Sequence, residues 1–206
     1  MKLYLSSYKL GNQTEFLEGW IKNHGSKLAL LPNARDCYPD DERKRQGIWN
    51  DAELLRVLGF DVDIVSLSDY FGQEEQLQTK LQNYPSIFAI GGNTFVLRQA
   101  MKLSGFDNYL HSIKNSKNYL YGGYSAGICL LAPSLHGLEL VDDSTCNPYN
   151  CDVVFEGLGL LDYVPVPHYQ SNHPESEDVN KVVEYLRRNN IPYITLRDGD
   201  VRIEDI

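Results

Sequence analysis

The sequence is most informative first in what it lacks. No stretch approaches the roughly 18 to 20 consecutive apolar residues that a membrane span requires, so no spanning segment is expected. The opening Met1 to Ser7 is too short and soon too polar for a secretory leader, and reads as a first core strand. There is no excess of basic charge: Lys and Arg number 19 against 28 Asp and Glu, a formal net charge of −9. That balance argues against nucleic-acid and anionic-membrane partners, which favour a basic face. None of the 4 cysteines forms a C-x-x-C pair. Cys37, Cys129, Cys146 and Cys151 therefore read as free thiols rather than a zinc site, and the cytoplasm is the expected compartment. No G-x-G-x-x-G and no G-K-[ST] is present, which leaves no fingerprint for a dinucleotide or a nucleotide phosphate. No repeat, low-complexity tract or linker interrupts the chain.

What remains is ordinary globular composition, 42% hydrophobic and 23% charged over 206 residues, enough for one domain with a sizeable core. Apolar runs at Lys2–Ser7, Lys27–Pro32, Asp61–Leu67, Ser86–Ile90 and Tyr119–Tyr124 read as strands. Between them lie helical patterns at Gln13–Asn23, Glu42–Leu58, Gln73–Gln82, Phe95–Leu103 and Tyr109–Asn115. In the long second helix, Ile48, Trp49, Ala52, Leu54, Leu55 and Val57 are available for the apolar side, and Gly59 is placed to end it. Strands apolar almost throughout, alternating with helices, imply an α/β fold. The expectation is a three-layer, doubly wound, mostly parallel sheet with helices on both faces, flavodoxin-like in outline. Beyond Pro133 the pattern loosens, then resumes with a strand ending at Val166, a helix at Glu175–Asn189, a strand at Tyr193–Leu196 and Val201–Ile203 as a returning hairpin strand.

The stretch Tyr119–Pro133, YLYGGYSAGICLLAP, carries the chemistry. It reads as a strand, a sharp turn and a buried helix, with Ser125 at the turn and the spacing Gly123-x-Ser125-x-Gly127 of a nucleophile elbow. The same residues would serve a glycine-rich turn whose serine only caps a helix. Gly91-Gly92-Asn93-Thr94 follows a buried strand and precedes a helix, so its N–H groups could meet an oxyanion together with that of Ala126. There too a purely conformational role, with Thr94 as helix cap, fits the residues. His168, after the strand-ending Pro167, sits where doubly wound folds keep their sites and could take a proton from Ser125. His173 is its rival, or a substrate contact. An acid to orient the imidazole is needed. Asp198, Asp142 and Asp143 are all candidates.

Taken in order, Gly91–Phe95, Gly123–Gly127, Pro167–Tyr169 and Leu196–Gly199 resemble the dipeptidase E (peptidase E) family of serine peptidases, over most of the chain. The resemblance implies a fold like that of class I glutamine amidotransferases. It also implies Ser125 as nucleophile, His168 as general base, Gly92 and Ala126 as oxyanion donors and Asp198 in the last turn as the acid, with Asp142 or Asp143 matching a second acidic position. Asn93, Thr94 and His173 are the expected substrate-binding residues. The implied reaction is hydrolysis of small peptides through an acyl-enzyme, with no cofactor and no metal. Relatives that cut after an N-terminal aspartate are expected to use an arginine beyond the histidine, and none occurs between Tyr169 and Leu186. Glutamine amidotransferases would need cysteine at position 125. An esterase or amidase built on the same elbow, and a flavodoxin-like binding or regulatory domain with an inert elbow, are the alternatives. The expected partner is a small peptide, with a homodimer as an open option.

Overall fold

The computed structural model describes residues Met1–Ile206. Its centre is a six-stranded sheet in the order β3-β2-β4-β5-β1-β8. These strands are β1 (Lys2–Ser6), β2 (Lys27–Leu31), β3 (Asp61–Ile64), β4 (Ser86–Ala89), β5 (Leu120–Tyr124) and β8 (Val201–Asp205). The first five run parallel, and β8 pairs antiparallel with β1, Lys2 opposite Asp205 and Ser6 opposite Val201.

Successive residues of a strand point to opposite faces, and here both faces are apolar. Leu3, Leu5, Ala29, Leu31, Ile87, Ala89 and Tyr121 enter one core cluster. Tyr4, Leu28, Leu30, Phe88 and Leu120 enter the other. The smaller cluster is closed by α1 (Thr14–His24), through Leu17 and Trp20, and by α2 (Glu42–Val57), through Ala52 and Leu55. The larger is covered by α3 (Glu74–Leu81), α4 (Thr94–Ser104), α5 (Phe106–Ile113), α6 (Ala126–Cys129) and α7 (Ser176–Arg188). This is the expected doubly wound, three-layer α/β arrangement.

Four expectations are corrected. Trp49, Leu54 and Val57 of α2 stay exposed, because only one narrow stripe of that helix reaches the sheet. The helix after the elbow is a single turn. Leu158, Gly159, Leu160 and Leu161 donate their N–H groups to the carbonyls of Leu130, Leu131 and Ala132, so the loop takes the place of the next helical turn. Val201 does not start a hairpin with the preceding strand. The short strands β6 (Val164–Val166) and β7 (Tyr193–Thr195) pair with each other in parallel, and the chain then crosses to the edge of β1. The turn between is held by Arg197 N–H donating to Asp200 Oδ2 at 2.8 Å and Ser7 N–H donating to Asp200 O at 3.1 Å. Lastly, Cys37 and Cys146 are not free thiols but form a disulfide, with Cα atoms 6.1 Å apart. The pairing joins two loops 109 residues apart, a proximity no local spacing encodes. Cys129 and Cys151 are free. No helix is long and apolar enough to cross a membrane.

Candidate active site

The site is assembled at the carboxyl ends of the parallel strands, where doubly wound folds leave a crevice. β5 delivers Ser125 on a backbone with φ 51° and ψ −120°, a conformation that L residues rarely adopt. Such strain costs on the order of 1–3 kcal/mol and persists only where the surroundings impose it. They do so here from both sides. A Cβ on Gly127 would lie 2.2 Å from the Ala89 carbonyl oxygen, so the elbow can close against β4 only with glycine there. Tyr121 donates its hydroxyl to the Gly127 carbonyl at 2.8 Å, fastening the strand to the turn.

Tyr124, next to the serine, is anchored beneath. Its hydroxyl donates to Asp51 Oδ2 at 2.9 Å, and the buried Asp51 also accepts from Arg35 at 2.5 Å and Lys9 at 2.5 Å. Arg35 reaches on to the Gly91 carbonyl at 3.3 Å. One buried charge network therefore holds the elbow and the Gly91-Gly92 loop in register. Burial, with the Asp51 charge beside it, pushes the Tyr124 phenol well above its ordinary pKa, so it stays a neutral donor. Arg35 and Asp51 gave no signal in the sequence, and Tyr124 stood there only as a member of the elbow. Only the topology brings the loop after β2 and the helix α2 to this edge.

His168 follows β6 on a left-handed backbone with φ 61°, which turns its ring back over the sheet edge. It is 2% exposed. Its Nδ1–H donates to Asp198 Oδ1 at 2.6 Å, the tautomer that an ionised carboxylate selects. Asp198 is held in turn by Ser7, whose hydroxyl donates to Oδ1 at 3.1 Å and accepts the His168 N–H at 2.8 Å. The Asp198 N–H donates to Ser171 Oγ at 2.8 Å. Burial lowers the His168 pKa, Asp198 opposes that, and His173 lowers it further. The ring is thus neutral at pH 7, with Nε2 left as the basic nitrogen.

Ser125 and His168 line the same two cavities. Of the three acids left open by the sequence, Asp198 is the one bonded to His168. Asp142 instead accepts the Thr94 backbone N–H at 2.8 Å. Burial raises its pKa to about 6 against that bond, with Glu175 adding to the rise. Asp143 lies exposed and binds Thr145. Asn93 is held by bonds within the chain. Its Oδ1 accepts the Val96 N–H at 3.0 Å, capping α4 in place of Thr94, and its amide donates to the Asp143 carbonyl at 2.8 Å. Thr94 lines the smaller cavity, and His173 the larger, stacked on His168 with centroids 3.7 Å apart and planes 9° apart. The N–H of Gly92 meets no acceptor within the chain, and that of Ala126 opens a helix, where no intrahelical partner exists. A Cβ on Gly92 would collide with the Ala34 carbonyl oxygen at 2.4 Å.

His168, His173 and Asp198 have ligand atoms within 4.8 Å of one another. The two imidazoles are stacked, however, and their lone pairs lie in parallel planes, so this arrangement does not turn both nitrogens towards one ion.

The family model for peptidase family S51 matches residues 5–205. The chain belongs to peptidase family S51. That is a family of serine peptidases, in keeping with the serine at the elbow. An uncharacterised peptidase of Listeria monocytogenes, Lmo0363, is 36% identical over 141 residues, which is 68% of this chain and 64% of the relative, so the match spans just under two thirds of that protein. Peptidase E of Streptomyces coelicolor is 32% identical over 212 residues, 95% of this chain and 79% of the relative. The crystal structure of a peptidase E candidate from Listeria monocytogenes superposes with a TM-score of 0.76 at 24% identity, covering 100% of this chain and 98% of that one. A peptidase from an acI-B1 Actinobacterium superposes with a TM-score of 0.62 at 14% identity, covering 98% and 82%. At those identities the two structures speak for the fold.

Proposed function

We propose that the protein hydrolyses small peptides through Ser125, His168 and Asp198. His168 Nε2 takes the proton as the Ser125 hydroxyl attacks the scissile carbonyl. The tetrahedral oxyanion is met by the N–H groups of Gly92 and Ala126. His168 then protonates the leaving amine, and a water activated by the same imidazole hydrolyses the ester on Ser125. Asp198 keeps the imidazole in the tautomer that leaves Nε2 basic and stabilises it when charged.

The observation that carries this reading is the 2.6 Å bond from Asp198 to a buried, neutral His168 that shares both its cavities with a strained serine. An inert elbow would have no use for that strain. Family membership supports the same class of chemistry. The test is turnover of a dipeptide library by the wild type and by Ser125→Ala. Loss of hydrolysis with an unchanged circular dichroism spectrum supports the assignment, and turnover within about tenfold of wild type rejects it.

A further inference from the structure

The two cavities that meet at Ser125 differ in kind. The larger, about 410 Å³, is open and polar, and Tyr8, Lys9, Arg43 and His173 are on its wall. The smaller, about 30 Å³, is narrower, and Cys129, Leu138, Val141, Val166, Val179 and Val182 are on its wall. Asp142 is also on the wall of the smaller one, and Glu175 is on the walls of both. Both carboxyls have pKa values raised by burial.

Which cavity takes which half of a peptide follows from His168. The leaving amine must collect its proton from that ring and depart, and the second-step water must arrive by the same route. His168 lines both cavities, but the aromatic rings packed against it, Tyr8 and His173, line the larger and not the smaller. The leaving group therefore lies in the open cleft. The side chain of the residue whose carbonyl is attacked enters the narrower pocket.

We infer that this pocket selects a small aliphatic side chain and rejects an acidic one. A single water needs about 10–15 Å³ by the same measure, so about 30 Å³ admits a side chain of one to three carbons. Its lining provides no cation for a carboxylate. A substrate aspartate would bring a further acid beside Asp142 and Glu175, in a place where carboxyls are already disfavoured as anions. Larger side chains are excluded by Val182 and Val179 of α7, both almost fully buried against the core.

This inference rests on the peptidase reading, and the experiment separates the two. Wild-type protein is first treated with a serine-directed phosphonate and the adduct located by mass spectrometry. The kcat/KM is then measured for dipeptides X-Leu with X as alanine, 2-aminobutyrate, valine, leucine, phenylalanine or aspartate. One methylene in an apolar pocket is worth about 10–200-fold. Alanine to valine should lead, with aspartate and phenylalanine at least about 100-fold lower. In Val182→Ala the optimum should move towards leucine. Aspartate or phenylalanine cleaved as well as alanine would overturn the pocket assignment and leave the peptidase standing. Labelling without turnover of any member would overturn the assignment too. Neither label nor turnover would remove both.

Discussion

Asp142 offers a prediction in which the sign as well as the size can be worked out. Its carboxyl titrates at about 6 in the folded protein against 3.8 for an ordinary aspartate, a rise of about 2 units caused first by burial, with the Thr94 N–H opposing it. Each unit corresponds to 1.36 kcal/mol, so the folded state gives up as much as about 3 kcal/mol in holding this group charged. Between pH 3.8 and about 6 the folded chain binds the proton more tightly than the unfolded chain. The favourable contribution is complete below pH 3.8 and is lost as pH rises through about 6. Asp142→Asn keeps an oxygen for the Thr94 N–H and removes the charge. It should therefore stabilise the protein by up to about 3 kcal/mol at pH 7.5 and by almost nothing at pH 3.5. Urea unfolding at several pH values measures this directly. A variant whose advantage is the same at every pH, or which is less stable at pH 7.5, would refute the reasoning.

Asp198→Asn should lower kcat by about 10⁴-fold with little change in fold, because the amide selects the wrong imidazole tautomer, whereas Asp142→Asn should cost less than about tenfold. Steady-state kinetics on both variants checks the assignment of the orienting acid. Arg35→Ala leaves the buried Asp51 with Lys9 and Tyr124 only, and should destabilise by about 2–4 kcal/mol, read as a lower urea midpoint. Reducing the Cys37–Cys146 bond releases a loop of 109 residues and should cost about 4–5 kcal/mol by the chain-entropy argument. Unfolding with and without dithiothreitol measures that cost.

The parallel core was legible because its strands are apolar on both faces, and such runs have few other uses. The elbow was legible because the close approach of the turn to β4 demands small residues at Gly123 and Gly127, a fixed spacing around Ser125 that shows in the sequence. Long-range pairings were not. The choice of Asp198 over Asp142 depends on a turn fastened to Ser7, 191 residues away. Cys37 and Cys146 meet across 109 residues, and β8 pairs with β1 rather than with its neighbour in sequence. The cap of α4 was placed one residue late: Asn93 and Thr94 could both serve, and the asparagine takes the position.

In the proposed mechanism His168 makes the hydroxyl at position 125 nucleophilic. Intact-mass analysis after treatment with a serine-directed phosphonate tests it most directly. A single adduct mapping to Ser125 in the wild type, formed at least about 100-fold more slowly in His168→Ala, is the predicted result. Equal labelling of both proteins, or an adduct elsewhere in the chain, would contradict it.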